Sequence, residues 1–156
     1  MNISDCPTTC AEFLNCDNIR IFDVFFFSRN TEEFHKYLRV IGLLGISSGP
    51  CGSCNIGTFK YVSDGHSSHT GEQRFFWRCS NYKCRKKISY KEGSFFSKAK
   101  LSERAIFLII FYFVHGYSQQ NLQRDLGLSA HSTVGWYNFC RNVSKVRSCV
   151  VAYILA

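Results

Sequence analysis

Apolar residues recur at helical spacing in the first third of the chain. Phe34, Leu38 and Ile41 lie three or four positions apart, which predicts an amphipathic helical segment within residues 21–45. Gly45 follows the last of these positions and is expected to end the helix. The segment therefore offers one apolar face, which either packs on the rest of the chain or meets a partner.

Polar residues near the start of this segment support a helix. Asn30 precedes Glu33 by three positions, which is the spacing of a helix capping box. The aromatic run at 25–27 just before it is expected in the core. Residues 1–20 are predicted to form a poorly ordered lead segment. A second metal site is the alternative there, although its three cysteines lack a fourth nearby ligand: Cys6, Cys10 and Cys16.

A period-two pattern characterises the middle of the chain. Residues 58–62 alternate as a β-strand does, residues 63–71 are turn-forming, and residues 74–78 return as a second strand. This pattern predicts a β-hairpin. Because a lone hairpin is marginally stable in water, a further element is expected to stabilise it. His66 and His69 lie at the tip and are expected to be exposed.

Three helices are predicted in the last third of the chain. Each begins after a serine that suits a helix N-cap: Ser102, Ser118 and Ser129. The first helix ends at His115 and Gly116, and its apolar run 105–114 is about half of the ~20 residues that span a bilayer, so we expect a buried core helix. The second covers residues 119–126, and after Gly127 the third continues to about Val146. A short helix, a turn with glycine and a longer helix form the layout of a helix-turn-helix.

The third helix has two distinct faces at about 100° per residue. Its apolar arc is expected to pack inward and comprises Trp136, Tyr137, Phe139, Cys140 and Val143. Its polar stripe comprises His131, Gly135, Asn138 and Asn142, with Arg141 at the edge. Asparagine can bind adenine through two hydrogen bonds, and glycine permits close approach to a duplex, so the stripe is a candidate for DNA groove recognition. An ordinary solvated helix face is the alternative.

These patterns predict an α+β protein in four parts. An N-terminal helical segment occupies residues 1–48, a small ribbon built on the β-hairpin occupies 49–97, and the three-helix unit with the helix-turn-helix occupies 98–148. Residues 149–156 form an apolar tail that we expect to be a truncated continuation. The length of 156 residues suffices for one domain or for two small ones.

Positive charge is concentrated after residue 50. Of the formal net charge of +8, residues 51–100 carry +7 and residues 101–156 carry +3, whereas residues 1–50 carry −2. This distribution is the expected footprint of a polyanionic partner, most often nucleic acid, and a solubilising surface is the alternative. Four cations surround the second cysteine pair and are expected to contact phosphates: Lys83, Arg85, Lys86 and Lys87.

Two close pairs of cysteines indicate a metal site. Two residues separate Cys51 from Cys54, and four separate Cys79 from Cys84. Such gaps let one turn offer two thiolates, and a hairpin between the pairs brings both turns to one tetrahedral ion. We therefore predict one structural Zn²⁺ held by these four cysteines. A Cys-x-x-Cys redox pair and unrelated cysteines are the alternatives, but the redox interpretation leaves the second pair unexplained.

The cysteine count and the N-terminus predict an intracellular protein. Nine cysteines cannot all pair as disulfides, and no basic segment precedes a long apolar run as in a signal peptide. Paired cysteines in a basic intracellular chain more often bind metal. We expect no membrane association, and a nuclear location if the organism is eukaryotic.

These motifs together resemble the N-terminal half of Merlin-type transposases and of the bacterial insertion-sequence transposases related to them. Besides the cysteine pairs, the similarity rests on Trp77-Arg78-Cys79, on residues 89–97 and on residues 136–141. Its most specific element is Gly93-Ser94-Phe95-Phe96, and it covers about residues 30–145. One departure is the missing proline after the leading cysteine of the first pair, which removes no ligand.

The resemblance implies recognition of transposon ends, hence binding to double-stranded DNA, with a second copy or a full-length transposase as a further partner. It also implies an RNase H-like domain whose three carboxylates bind divalent metal. Asp125 is the last acidic residue, so we expect a DNA-binding module that has no catalytic residues and no small-molecule substrate. Two other classes stay open: a zinc-ribbon protein–protein interaction module, and a fragment of a full-length transposase enzyme.

Overall fold

The computed structural model describes residues 6–45, 49–66 and 73–146. Within them it has six α-helices and one three-stranded antiparallel sheet, so the predicted α+β class is confirmed. In chain order the elements are α1 (Cys10–Leu14), α2 (Ile21–Phe27), α3 (Thr31–Val40), β1 (Phe59–His66), β2 (Gln73–Cys79), β3 (Lys87–Ser89), α4 (Glu103–Val114), α5 (Gln119–Leu126) and α6 (Ala130–Val146). The predicted tail at 149–156 lies outside the described residues, and no described helix is long and apolar enough to cross a bilayer.

The chain divides into two compact units. Residues 34–98 form the sheet unit, which contains all three strands and most of α3. The residues before 34 and after 98 form the helical unit, which contains α1, α2, α4, α5 and α6.

The helical unit has its core between α4, α5 and α6. Its buried cluster comprises Ile109, Tyr112, Leu122 and Tyr137. Two hydroxyl groups in this core are hydrogen-bonded: Tyr112 donates to the Asp125 carboxylate at 2.7 Å, and Tyr137 donates to the backbone carbonyl of Tyr117 at 3.1 Å. The apolar run of α4 is therefore a core helix, as predicted.

The predicted boundaries of these three helices are confirmed. The side-chain oxygens of Ser102, Ser118 and Ser129 each accept a hydrogen bond at 3.2 Å from the backbone N–H three positions later. Gly116 and Gly127 adopt left-handed φ values of 70° and 63° beyond the ends of α4 and α5. Glycine occupies this conformation without the steric cost that other residues meet, and so it ends a helix.

The apolar arc predicted for α6 is wrong at one position. Tyr137 and Cys140 are buried, but Phe139 is 42% exposed. Thr133 is fully buried instead, and its hydroxyl donates to the Ser129 carbonyl at 3.0 Å. The inward face is centred on Thr133, and Phe139 lies about 120° away from it around the helix.

The N-terminal helices confirm one predicted cap and correct a predicted end. The Asn30 side chain accepts a hydrogen bond from the Glu33 N–H at 3.3 Å, as the sequence predicts. Helix α3 ends at Val40 rather than at the predicted Gly45, because Gly42 already adopts a left-handed φ of 76°.

The prediction of a poorly ordered lead segment is wrong for the described residues before α2. Thr9 caps the short helix α1 and accepts a hydrogen bond from the Glu12 N–H at 3.3 Å. Phe13 is 1% exposed, and its ring stacks on that of Phe27 at 4.3 Å. Aromatic packing therefore holds this segment in the helical unit.

The sheet unit is built on β2, which lies between β1 and β3 in an antiparallel sheet. Trp77 pairs with Tyr61 on one side and with Ile88 on the other. The hairpin of β1 and β2 was predicted, whereas β3 was not. Side chains alternate across a sheet, so Phe75, Trp77 and Cys79 share one face of β2, and all three are buried.

Helix α3 covers this buried face. His35 is 2% exposed, hydrogen-bonds the Tyr61 hydroxyl through Nδ1 and stacks on Tyr90 with ring centroids 4.7 Å apart. Tyr61 in turn stacks on Phe75 at 5.1 Å, and the Arg39 guanidinium lies 4.4 Å from the Tyr61 ring centroid. The sheet thus has one aromatic, helix-covered face.

Candidate metal centre and its basic surroundings

The fold brings the four predicted ligands together at one end of the sheet. Cys51 and Cys54 lie in the turn before β1, Cys79 ends β2 opposite Phe59, and Cys84 lies in the turn between β2 and β3. Their sulfur atoms all lie within 4.8 Å of one another, with 3.8 Å from Cys51 to Cys84 and 3.7 Å from Cys54 to Cys79. Sulfurs bonded at ~2.3 Å to a tetrahedral ion are about 3.8 Å apart. The four-cysteine cluster is therefore placed to bind a metal ion.

The two cysteine turns, which we call the first knuckle (residues 51–57) and the second knuckle (residues 79–86), have the same backbone geometry. In the first, the N–H groups of Cys54 and Asn55 donate to the Cys51 carbonyl at 3.1 and 2.7 Å. In the second, the N–H groups of Cys84 and the next residue donate to the Asn81 carbonyl at 3.1 and 3.0 Å. The wider spacing of the second pair is accommodated because Cys79 lies before this turn, at the end of its strand.

Backbone N–H groups point at the sulfurs of the first knuckle. The N–H groups of Gly57 and Ile56 lower the pKa of the Cys54 thiol to about 6, and the Gly57 nitrogen is 3.5 Å from the sulfur. The N–H of Ser53, followed by that of Cys54, lowers the pKa of Cys51. Both sulfurs are therefore stabilised as thiolates, the form that binds metal.

In the second knuckle, by contrast, the pKa values of both thiols are raised. Burial raises the pKa of Cys79 to about 12. The N–H of Lys86 lowers the pKa of Cys84, but burial and the Cys51 and Cys54 sulfurs outweigh it, so the net shift is upward. Four thiolates this close repel one another, and a divalent cation at their centre removes that repulsion.

Sequence reasoning missed Gly57, which the four-cysteine cluster requires. Gly57 is buried, and a Cβ built on it would lie 2.5 Å from the Cys79 sulfur and 2.8 Å from the Asn81 nitrogen. The first knuckle can approach the second this closely only because this position has no side chain. The position of Gly57, three residues after Cys54, is its one sequence signal.

Both knuckles place a non-glycine residue in the left-handed region, with φ of 51° at Asn55 and 46° at Arg85. Asparagine tolerates this region, whereas arginine is strained there by about 1 kcal/mol.

We expect Arg85→Gly to raise the free energy of unfolding by about 1 kcal/mol, measured by chemical denaturation at a fixed zinc concentration. Asn55→Gly is the control and should gain only a few tenths of a kcal/mol. Equal gains at both positions would contradict this assignment of the strain.

The predicted basic residues are exposed on the second knuckle and the start of β3: Lys83, Arg85, Lys86 and Lys87. Strand pairing adds two cations that sequence reasoning missed. Lys60 pairs with Arg78, and Arg78 pairs with Lys87, so one cation from each strand forms a row across the sheet, which we call the basic row. This row depends on register, which single-strand periodicity does not reveal.

The polar stripe predicted on α6 is exposed throughout: His131, Gly135, Asn138, Arg141 and Asn142. Arg141 donates a hydrogen bond to the Asn138 side-chain oxygen at 2.8 Å. The two side chains therefore form a pair in which Asn138 accepts through its oxygen, so this hydrogen bond does not occupy its amide hydrogens.

The other candidate ligands do not join a metal site. In the described part of the chain, the four-cysteine cluster is the one group of three or more Cys, His, Asp or Glu side chains arranged to hold a metal. Cys6, Cys10 and Cys16 form no second such group there. His66 is exposed, as predicted, and His69 lies outside the described residues.

Comparison of this chain with protein-family models, with curated proteins and with solved structures gives no match. The geometry defines the class: an α+β protein with a four-cysteine site placed to bind a metal ion.

Proposed function

We propose that this chain is a double-stranded DNA-binding module, in which a zinc ribbon in the sheet unit and a helix-turn-helix in the helical unit each contact the DNA. The observation that carries this proposal is the four-cysteine cluster with exposed cations on its second knuckle. The metal would hold the second knuckle in place, and the second knuckle exposes these cations to a partner. Such cations provide the salt-dependent phosphate contacts on which DNA affinity depends.

Zinc is the metal that the donor set favours. Four thiolates in a closed tetrahedral arrangement are typical of structural Zn²⁺ sites, whereas catalytic sites keep one position open for water. The sulfur separations of 3.7 and 3.8 Å suit this geometry. We therefore assign one Zn²⁺ per chain a structural role and expect no chemistry at the metal.

Helix α6 is proposed to be the recognition helix. Helix α5, the turn at Gly127 and the 17-residue helix α6 follow one another in the order of a helix-turn-helix. The polar stripe of α6 lies opposite the buried face that carries Thr133, so it is free to enter a groove. The pair of Asn138 and Arg141 offers an amide and a guanidinium to base edges.

The resemblance to transposase N-terminal regions supports transposon ends as the target. We propose that the chain recognises such ends within the cell, in the nucleus of a eukaryotic one, without cleaving DNA itself. A second copy of the chain or a full-length transposase is the expected protein partner. A nuclease and strand-transfer assay with Mg²⁺ on the purified chain checks the absence of catalysis.

Asn138→Ala is the sharpest test of groove recognition. The lost amide should cost about 1–3 kcal/mol on a selected duplex and little on random DNA, because it removes base contacts rather than phosphate contacts. Fluorescence anisotropy on both duplexes over a range of salt concentrations measures this. Lys86→Gln/Lys87→Gln is the comparison variant and should weaken both complexes alike and flatten the salt dependence. Equal losses on both duplexes for Asn138→Ala would remove α6 from the proposal.

A protein-interaction module is the second candidate, and the knuckle tips favour it. Ile56 is 81% exposed on the first knuckle, and Tyr82 is 78% exposed on the second. Exposed apolar side chains of this size are common at protein interfaces. A partner that stays bound after nuclease treatment, from a chain that shifts no duplex, would favour this candidate over DNA binding.

A further inference from the structure

The face of the sheet opposite the aromatic residues under α3 holds a cavity of about 310 Å³. We call it the outer cavity. Its lining comes from β1, the end of β2 and the second knuckle, and consists of Lys60, Val62, Arg78, Cys79, Ser80, Tyr82 and Arg85. None of these seven described residues is acidic, and three are cations. The outer cavity is therefore strongly electropositive.

The basic row lies on this face of the sheet, and two of its members, Lys60 and Arg78, line the outer cavity. Like charges directly opposite one another on neighbouring strands are destabilising, and here Lys60, Arg78 and Lys87 are paired in register on three strands. Phe76 offsets part of this repulsion, because the Lys87 ammonium and the Arg78 guanidinium lie 4.5 and 5.2 Å from its ring centroid. A bound anion would offset the rest.

Arg78 also has an unsatisfied donor. Its Nε–H has no solvent exposure and, among the described residues, no hydrogen-bond acceptor. A buried donor without an acceptor costs about 1–3 kcal/mol, and more when it is charged. Because this atom has no solvent exposure, a ligand oxygen in the outer cavity would reach it only after the Arg78 side chain rotates toward the cavity.

Two further groups on the rim suit an oxyanion. The Ser80 hydroxyl oxygen already accepts a hydrogen bond from the Thr58 N–H at 3.0 Å, so its own proton is available for donation. Arg85 adds a second guanidinium to the lining of the cavity.

We propose that the outer cavity is a phosphate subsite that takes one phosphodiester group of a nucleic-acid backbone. Arg78 and Lys60 bind the phosphate oxygens from the sheet, and Arg85 and Ser80 bind them from the rim. The nucleic-acid assignment rests on the proposed DNA-binding function, whereas the affinity for phosphate does not.

The experiment uses the full chain loaded with zinc and has two arms. In the first, the Nε–Hε NMR signal of Arg78 is followed during titration with inorganic phosphate, and with chloride at equal ionic strength. In the second, duplex binding is measured against salt for Lys60→Gln and Arg78→Gln, with Arg29→Gln as a control that removes the same charge outside the cavity. Lys60 is exposed, so Lys60→Gln serves if Arg78→Gln does not fold.

The expected results are a saturable shift of the Arg78 signal with phosphate but not with chloride, and duplex binding weakened about tenfold with a salt slope shallower by about 1 for Lys60→Gln. Phosphate binding by a chain that binds no duplex would leave the anion site standing, with free phosphate as its ligand, and overturn the proposed DNA function. Duplex binding with no phosphate shift, or with the slope of Lys60→Gln equal to that of Arg29→Gln, would overturn this subsite and leave the DNA function intact.

Discussion

Cys79→Ser is expected to abolish metal binding and to unfold the sheet unit. Cys79 is 2% exposed and ends the central strand, so its loss removes one of four ligands and leaves three buried or half-buried sulfurs around an incomplete site. A three-stranded sheet whose last strand has three residues, with one helix on a single face, has a small core. Metal binding contributes on the order of 10 kcal/mol or more to the folding of such small domains, which exceeds the stability of most domains this size.

Two measurements on the purified chain check this prediction. Elemental analysis should find about one zinc per wild-type chain and none in Cys79→Ser, and NMR should lose the dispersed signals of Tyr61 and Trp77 in the variant. Adding a chelator to the wild type should produce the same loss. Zinc that stays bound to Cys79→Ser, or a sheet that keeps its dispersion without metal, would show that the four-cysteine cluster does not hold the fold.

Cys140→Ser is the matched control for this experiment. Cys140 is buried, as Cys79 is, but it lies outside the four-cysteine cluster. We expect this variant to keep its zinc and its NMR dispersion. Equal effects of the two substitutions would point to general sensitivity to cysteine loss rather than to a metal site.

Short-range signals in the sequence predicted much of what the structure contains. The cysteine spacing predicted the four-cysteine cluster, because a metal site requires its donors in two tight turns. The serines before α4, α5 and α6 predicted those helices, because an N-cap acts through a hydrogen bond to a residue three positions away. Both kinds of signal are local and therefore visible in a linear sequence.

What the sequence did not predict depends on tertiary contacts. Strand β3 has three residues, Lys87–Ser89, which is too short for an alternating pattern to register. The basic row exists only once β1 and β3 pair with β2 in the observed register. The outer cavity follows from that register, so its phosphate subsite could not be proposed before the structure was known.

The apolar arc of α6 illustrates a different limit. The helical periodicity placed Phe139 inside, on one apolar arc with Trp136 and Cys140, but the helix buries the side centred on Thr133. A threonine can occupy a core position when its hydroxyl bonds to the preceding turn, as it does here with the Ser129 carbonyl. Phe139 is left half-exposed, with its ring 5.5 Å from that of Trp136.

Gly57→Ala is expected to weaken metal binding about 100-fold without removing a ligand. Its Cβ would lie 2.5 Å from the Cys79 sulfur and 2.8 Å from the Asn81 nitrogen, so the two knuckles would have to move apart. The Asn81 nitrogen is a backbone atom and the Cys79 sulfur is a proposed ligand, so neither can move aside without disturbing the site, and overpacking of this kind costs about 1–3 kcal/mol. Three kcal/mol corresponds to about a 100-fold change in a binding constant. Competition with a chromophoric chelator measures the change.

Gly52→Ala is the matched control, because it adds the same methyl group to the same knuckle. A Cβ on Gly52 meets nothing within 4 Å among the described atoms, so this variant should bind metal as tightly as the wild type. Weak binding by Gly57→Ala beside normal binding by Gly52→Ala would establish that close contact between the knuckles, and not cysteine spacing alone, sets the affinity. Unchanged affinity in both variants would mean that the knuckles adjust freely, and that close contact at Gly57 does not set the affinity for the metal.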